Sequence, residues 1–260
     1  VLIVFGWLSG CNFRLAGKDW GVVFLLSLLR AVTSFSLIIA YQNIASGVAS
    51  TIHFMYPLAV ALAMMFFFRE KKSLLVILAV LMSLLGAALL SLGELEAKSG
   101  NTMVGLVAAC VSVFSYAGYI VGVRTTRAVQ INSTALTCYV MGLGTIFYLI
   151  GAYCTSGLQL VSDGYTWLII LGLALPATAI SNITLVQAIK YAGPTLTSIL
   201  GAMEPLTAVV IGVFVFKELF TVNSAVGIIL ILLAVSIVVF RRQKSCCLLY
   251  TSDAADDMQC

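Results

Sequence analysis

Runs of about 20 apolar residues recur along this chain, and they restrict its folds more than any other feature of the sequence. A helix needs about 20 residues to cross the roughly 30 Å hydrocarbon core of a bilayer. Because the runs are long and do not alternate with polar residues, they favour spanning helices over a β-barrel. The composition agrees, since 62% of the residues are hydrophobic and 9% are charged, against about a quarter charged in soluble domains. We therefore predict an all-α polytopic membrane protein.

The sequence divides into nine apolar segments. They lie near 1–13, 20–41, 47–68, 73–92, 102–123, 133–155, 165–189, 194–216 and 221–240. The first is too short to span a bilayer, and the chain begins with valine rather than methionine. We therefore expect eight full segments, one partial segment and an N-terminal truncation.

Lysine and arginine collect on the cytoplasmic side of short loops in membrane proteins. Eleven of these residues fall on one side of the nine segments and two on the other. The first side holds Arg14, Lys18, Arg69, Lys71, Lys72, Arg124, Arg127, Lys190, Arg241, Arg242 and Lys244, and the second holds Lys98 and Lys217. This asymmetry predicts a cytoplasmic carboxyl end, in a cell membrane that we expect to be a bacterial inner membrane. It also places Val1 outside, which is a second indication of a missing helix.

The end of the chain differs in composition from the rest. The run from Cys247 to Asp257 back-translates to a sequence that resembles a transposon-end adapter used in sequencing libraries. We interpret residues 245–260 as a sequencing artefact and exclude them from fold reasoning.

An internal repeat emerges when the sequence is shifted by 148 residues on itself. The shift aligns "STIHFMYPLAVALAMMFFFREKKS" (50–73) with "SILGAMEPLTAVVIGVFVFKELFT" (198–221). The matched pairs are Ser50/Ser198, Met55/Met203, Pro57/Pro205, Leu58/Leu206, Arg69/Lys217, Glu70/Glu218 and Ser73/Thr221. Proline and polar matches in one ungapped register are harder to obtain by chance than apolar ones, so we predict two copies of one unit.

The repeat defines the predicted domains. They are an incomplete first copy at 1–92, an external linker at 93–101 and a second copy at 102–244. The second copy has five segments, so two complete copies would form a ten-helix, five-plus-five repeat whose first helix is missing here. An odd number of helices makes tandem copies enter the membrane from opposite sides. Such inverted repeats are typical of secondary transporters, with a substrate site near the midplane.

The motifs "YPLAVALAMMFFFREKKS" and "EPLTAVVIGVFVFKELFT" resemble those of EamA-type permeases of the drug/metabolite transporter (DMT) superfamily. The resemblance covers essentially residues 1–244. It implies a ten-helix inner-membrane carrier that exports or facilitates the movement of amino acids, other metabolites or drugs. It also makes Glu70 and Glu218 signature positions, to which we assign a structural role beside their basic neighbours.

Glu204 is the first candidate site residue, because its carboxylate lies about half-way along an apolar segment. A charge there costs at least ~2.5 kcal/mol and usually faces the protein interior. Glu204 could titrate during transport or meet a substrate amine, or it could be a neutral acid hydrogen-bonded between helices. Pro57 and Pro205 each remove one helical hydrogen bond and predict kinks at the bundle centre. Tyr56 occupies the place in the first copy that Glu204 occupies in the second.

Arg30 is the second candidate, as the only basic residue inside an otherwise apolar segment. Ser27, Arg30, Ser34 and Tyr41 share one helical face, which we expect to look inward. Arg30 could bind a substrate carboxylate or phosphate, or it could pair with Glu204, and the sequence does not separate these roles.

Three further residues complete the candidate substrate or proton site. His53 is either a core histidine or a proton relay. Asn182 is one turn from Thr178 and aligns with Ser34 in the repeat. Tyr116 lies in "FSYAGYIVG", where Gly118 and Gly122 form a GxxxG that predicts close helix packing.

These residues favour a secondary transporter of a small metabolite, such as an amino acid or a drug-like compound, with proton coupling through Glu204 as a further hypothesis. A sugar-phosphate or nucleotide-sugar exchanger is the alternative, but it should present several inward cations, and only Arg30 qualifies. An integral-membrane enzyme is less well supported, because no Ser/His/Asp set, metal motif or phosphate-cradling loop is visible. A channel or scaffold would not need ionisable residues at the midplane. We expect no cofactor and no metal; the partners are a small-molecule substrate and the bilayer, not nucleic acid, and homodimerisation is left open.

Overall fold

The computed structural model describes residues 15, 17–44, 46–68, 74–91, 101–155 and 163–201. Toward the carboxyl end it describes 203–204, 207, 214, 222–223, 225–234 and 236–237. The predicted segment at 1–13 and the interpreted artefact at 245–260 lie outside these residues.

The described residues form helices joined by short connections. In chain order the α-helices are α1 (Trp20–Asn43), α2 (Ser46–His53), α3 (Tyr56–Phe67), α4 (Leu74–Ser91), α5 (Thr102–Thr125), α6 (Ser133–Thr155), α7 (Gly164–Leu173), α8 (Ser181–Ala192), α9 (Pro194–Leu200) and α10 (Ala225–Ala234). Two 3₁₀ turns, Gly17–Asp19 and Arg127–Gln130, and a π-helix, Ala174–Ile180, complete the set. The predicted all-α class is confirmed for the part of the chain that the structure describes.

Four stretches of helix are long and apolar enough to cross a membrane. They are Gly17–Asn43, Val48–Phe67, Thr102–Thr125 and Ser133–Gly151, as found among the described residues. Ile77–Gly86 and Ala225–Ala234 are shorter apolar helices. These helices agree with a polytopic membrane protein, whereas the ten-helix, five-plus-five arrangement stays a prediction.

The pair α1 and α5 makes the most extensive helix–helix contact among the described elements. Gly122 allows this approach, because a Cβ there would lie 2.8 Å from Leu26 Cδ2, whereas one at Gly118 would make an ordinary contact of 3.6 Å with Leu29 Cδ1. Ser27, fully buried on α1, donates a hydrogen bond of 2.9 Å to the carbonyl oxygen of Val140 on α6. The inward face of α1 is therefore held by both neighbours.

The predicted segment 47–68 is two helices rather than one bent helix. It turns at Phe54 and Met55, immediately before Pro57 in the first turn of α3. Since Pro57 has no N–H, it cannot donate to the carbonyl oxygen of His53 four residues earlier. The chain therefore breaks between α2 and α3, and Met55 donates to Ile52 in a tighter turn (3.0 Å).

The predicted segment 165–189 differs from a uniform α-helix in a comparable way. The π-helix Ala174–Ile180 joins α7 to α8, and within it Pro176 lacks a backbone donor. Single π turns inside helices frequently occur at functional sites. Asn182 lies just after this irregular stretch.

The bounds of the short helices match the register of the predicted repeat. Helix α2 begins at Ser46 and α9 at Pro194, positions that the 148-residue shift superposes. Helix α2 ends at His53 and α9 at Leu200, which agree within one residue after the shift. Pro205 lies outside the described residues, so no kink is assigned to it.

Arg124 and Lys190 meet at one end of the bundle. Arg124 donates a short hydrogen bond to the carbonyl oxygen of Lys190, and the Lys190 ammonium donates another to that of Ile131. These contacts join the ends of α5 and α8 to the connection before α6. Two cations that the charge count assigned to the same side thus lie at the same end.

Side-chain caps begin helices α5 and α7. Asp163 accepts hydrogen bonds from Thr166 and from the backbone N–H of Tyr165 ahead of α7. The hydrogen bonds of the Thr166 side chain and backbone, together with that of Tyr165, hold the pKa of Asp163 below its usual value of 3.8.

Asn101 caps α5 by accepting from the backbone N–H of Met103 (3.1 Å) and of Val104 (3.3 Å). Asn101→Ala removes both bonds and is expected to lower the free energy of unfolding by about 1 kcal/mol. Thermal unfolding in detergent measures the loss. Asn101→Asp keeps a capping oxygen and should retain most of the stability, so equal losses in both variants would contradict the capping role.

Candidate functional site

Arg30 lies at the centre of a cluster that joins helices α1, α5 and α8. Its guanidinium Nη2 donates a hydrogen bond of 3.3 Å to Asn182 Oδ1. Its Cζ stands over two aromatic rings, 5.2 Å from the centroid of Tyr116 and 5.9 Å from that of Tyr119. A cation over such rings is stabilised by about 0.5–2 kcal/mol, more when water is excluded. The partly buried guanidinium is thus held by a neutral amide and two π faces.

Asn182 is oriented by its own helix. Its Nδ2 donates 2.7 Å to the carbonyl oxygen of Thr178, one turn earlier. That bond fixes which end of the amide carries the donor, so Oδ1 is the atom presented to Arg30. Because the donor–acceptor pair with Arg30 spans 152 residues of sequence, it ties the two predicted repeats together.

His53 has a defined partner on α5. Its Nδ1 is 2.9 Å from Ser112 Oγ, and Ser112 Oγ donates 2.6 Å to the carbonyl oxygen of Ala109. A hydroxyl has one proton, and here that proton is used toward Ala109. His53 Nδ1 is therefore the donor to Ser112.

An aromatic cluster connects His53 to Arg30. The ring of Tyr116 lies edge-on to Tyr56 at a centroid distance of 4.7 Å, and His53 is 5.4 Å from Tyr116 and 5.6 Å from Tyr56. Tyr116 and Tyr119 are nearly parallel at 6.3 Å. The three tyrosines are almost fully buried, with exposed fractions of 2 to 6%. Their buried rings pack together behind the partly exposed side chains of Arg30 and His53.

Glu204 lies near this cluster but is accessible rather than enclosed. The sequence left open whether Arg30 binds a substrate or pairs with Glu204. In the structure the guanidinium donates its hydrogen bond to Asn182 rather than to Glu204.

A cavity of about 340 Å³ opens beside Arg30, on the side of α6. Its polar lining includes Ser34, Thr145, Tyr148 and Thr178. Arg30 thus faces a mainly apolar cavity on one side and the aromatic rings on the other. Ser34 and Thr145 donate their hydroxyl protons to backbone carbonyl oxygens of their own helices, so Arg30 supplies the charge in this lining.

The structure brings together Arg30, His53, Tyr56, Tyr116 and Asn182, all of which were sequence candidates. It adds Tyr119 and Ser112, which the sequence analysis missed. Both lie on α5 with Tyr116, at three residues after it and four before it, so the helical face of Tyr116 would have identified them. Among the described residues no group of three His, Cys, Asp or Glu side chains is placed to hold a metal ion.

Spanning helices with a cation and polar groups at their centre are typical of membrane proteins that move polar solutes. The model of the EamA-like transporter family matches residues 103–240, slightly more than half of the chain. The chain therefore belongs to the EamA-like transporter family. The predicted family resemblance is thereby confirmed, and so is a membrane location.

A curated relative agrees with this assignment, and a solved structure shares the fold. An uncharacterized transporter of Archaeoglobus fulgidus is 28% identical over 238 residues, which cover 90% of this chain and 83% of the relative. A solved crystal structure superposes with a TM-score of 0.78 at 17% identity, covering 94% of this chain and 83% of the other. That second likeness concerns the fold alone.

Proposed function

We propose that this protein is a secondary transporter that carries a small metabolite bearing a carboxylate, with an amino acid as the best-fitting class. The single observation that carries the proposal is Arg30, a cation held by Asn182 between helices and facing a cavity. Intramembrane ionisable residues are rare and mark substrate or ion pathways. Two inverted repeats that rock around this centre would provide alternating access.

The number of cations favours a carboxylate over a phosphate. A doubly charged phosphate is usually held by several Lys or Arg side chains, and Arg30 is the one cation among the described lining residues of the cavity. Glu204 is not among the residues that line the cavity, so the single cation carries this argument. A small carboxylate such as an amino acid therefore ranks above a sugar phosphate.

The size of the cavity points in the same direction. A cavity of about 340 Å³ lies at the small end of the range for ligand pockets, which is about 300–1,000 Å³. A small amino acid fits such a volume, whereas a nucleotide sugar is several times larger than an amino acid. The nucleotide-sugar alternative is therefore the weaker one.

Uptake into proteoliposomes tests the proposal. The probe is a radiolabelled mixture of the proteinogenic amino acids, offered with or without an excess of unlabelled amino acids or glucose 6-phosphate. Saturable uptake that the unlabelled amino acids suppress, and glucose 6-phosphate does not, is expected. Suppression by glucose 6-phosphate would favour the exchanger, and unsaturable flux would favour a channel.

Glu204 and His53 are the groups proposed to couple transport to protons. Glu204→Gln removes the titratable carboxyl and is expected to abolish the dependence of uptake on a pH gradient while exchange at equal pH continues. Measuring both rates in the same proteoliposomes separates the two effects. Asp163→Asn is the matched control, because it removes a carboxylate at the end of a helix and keeps a capping residue. Unchanged pH dependence in Glu204→Gln would remove Glu204 from the coupling mechanism.

The proposed setting is a bacterial inner membrane with the carboxyl end in the cytoplasm. The excess of Lys and Arg on one side of the predicted segments supports this orientation.

A further inference from the structure

Tyr56 and Gly201 meet in a contact that permits no side chain at position 201. A Cβ on Gly201 would lie 1.8 Å from Tyr56 Oη and 3.1 Å from Tyr56 Cζ. Non-bonded contacts of a Cβ are essentially never shorter than 3.0 Å. The hydroxyl of Tyr56 therefore occupies the space that any other residue at position 201 would fill.

The contact joins the break between α2 and α3 to the end of α9. Tyr56 is the first residue of α3, directly after the turn at Phe54 and Met55, and Gly201 follows the last residue of α9. In the predicted repeat Gly201 corresponds to His53, the last residue of α2. The contact thus lies where helices end at matching positions of the predicted repeat, and interrupted helices form the substrate sites of several transporter folds.

Each partner is also connected to the ionisable groups of the site. Tyr56 packs edge-on against Tyr116, whose ring lies under the Arg30 guanidinium. The carbonyl oxygen of Gly201 accepts a hydrogen bond of 3.0 Å from the backbone N–H of Glu204. An unbroken series of contacts therefore runs from Arg30, through two tyrosines, to the backbone that carries Glu204.

We infer that Tyr56 is a positioning residue. Through the contact of its hydroxyl with Gly201, it couples the binding of substrate at Arg30 to the segment that carries Glu204. Closely packed groups have discrete arrangements rather than a continuous range. A substrate that shifts Arg30 shifts the ring beneath it, and Tyr56 then moves against Gly201. The inference rests on the proposed function, because it concerns how the carrier changes state rather than what it binds.

A double-mutant cycle in proteoliposomes tests this inference, with counterflow of the labelled amino-acid mixture as the readout. In counterflow, labelled substrate enters vesicles preloaded with unlabelled substrate. Gly201→Ala is expected to lower the maximal rate roughly tenfold while the half-saturation concentration changes by less than about twofold. Tyr56→Phe keeps the ring but removes the hydroxyl that contacts Gly201, so it should lower the maximal rate by about threefold.

The double variant Tyr56→Phe/Gly201→Ala is the decisive member of the cycle. Removing Oη eliminates the 1.8 Å overlap and leaves the tight 3.1 Å approaches of Tyr56 Cζ and of the Ser198 carbonyl oxygen, so the rate should recover to within about threefold of the wild type. Gly172→Ala is the matched control, because a Cβ there has no heavy atom within 4 Å. Unfolding midpoints of all variants are measured to normalise the rates to folded protein.

Three results would overturn the inference. One is a Gly201→Ala variant as fast as the wild type, and another is a double variant as slow as Gly201→Ala alone. A loss confined to the unfolding midpoint, with a normal rate per folded protein, would make the contact merely structural. If the wild type itself shows no transport, the proposed function fails and the inference fails with it. If the wild type transports but the effects of the two single variants simply add in the double variant, the inference alone is rejected.

Discussion

Arg30→Gln is expected to lower the rate of amino-acid uptake at limiting concentration by roughly a hundredfold. Truncating one partner of a desolvated charge pair costs about 3 kcal/mol, and each 1.4 kcal/mol is a factor of ten. Gln keeps some hydrogen-bonding capacity but removes the charge that a substrate carboxylate would meet. It also removes the cation over the rings of Tyr116 and Tyr119. Initial uptake rates, normalised to folded protein, measure the effect.

Two further variants separate charge from geometry. Arg30→Lys keeps the charge but loses the planar fork that reaches Asn182 and stacks on the tyrosines, so its rate should fall between those of the wild type and Arg30→Gln. Arg127→Gln removes an exposed cation on the 3₁₀ turn after α5 and should transport normally. A normal rate in Arg30→Gln, or an equal loss in Arg127→Gln, would contradict the role assigned to Arg30.

The second large effect is expected at Gly86, where α4 crosses α10. A Cβ at this position would lie 2.7 Å from the carbonyl oxygen of Gly227, 2.7 Å from Ile231 Cγ1 and 3.3 Å from the backbone nitrogen of Ile231. Because two of these atoms belong to the backbone, the helices must move apart to admit a methyl group. Gly86→Ala is therefore expected to lower the free energy of unfolding by about 1–3 kcal/mol, the usual cost of overpacking.

Thermal unfolding in detergent distinguishes this effect from helix propensity. Alanine favours a helix over glycine by about 1 kcal/mol, so Gly172→Ala, with open space around it, should be neutral or slightly stabilising. Gly86→Ala should shift the midpoint downward despite the better propensity. An upward shift in both variants would show that the two helices are not closely packed at Gly86.

The sequence was sufficient for the fold class and for most members of the site. Long apolar runs predicted spanning helices, and a lone arginine in such a run predicted an inward-facing cation. The positions of His53 and Tyr56 around Pro57 followed from the repeat. These inferences depend on local composition and periodicity, which a sequence contains directly.

Contacts between distant helices could not be predicted in this way. The hydrogen bond from Arg30 to Asn182 and the contact of Tyr56 with Gly201 depend on how separate helices are placed in space. The interruption of segment 47–68 was expected near Pro57 as a kink, but whether a proline bends or divides a helix depends on what replaces the missing hydrogen bond. Tyr119 was not predicted, although it lies three residues after Tyr116 on the same face of α5.

Counterflow by the wild-type protein tests the central claim most directly. A carrier with one alternating site exchanges external labelled substrate for internal unlabelled substrate, so the account expects the label in preloaded vesicles to exceed its equilibrium level before it declines. The overshoot should be absent from vesicles that contain Arg30→Gln. Label that rises only to equilibrium in wild-type vesicles, at the same rate with and without preloading, would contradict a carrier with its site at Arg30.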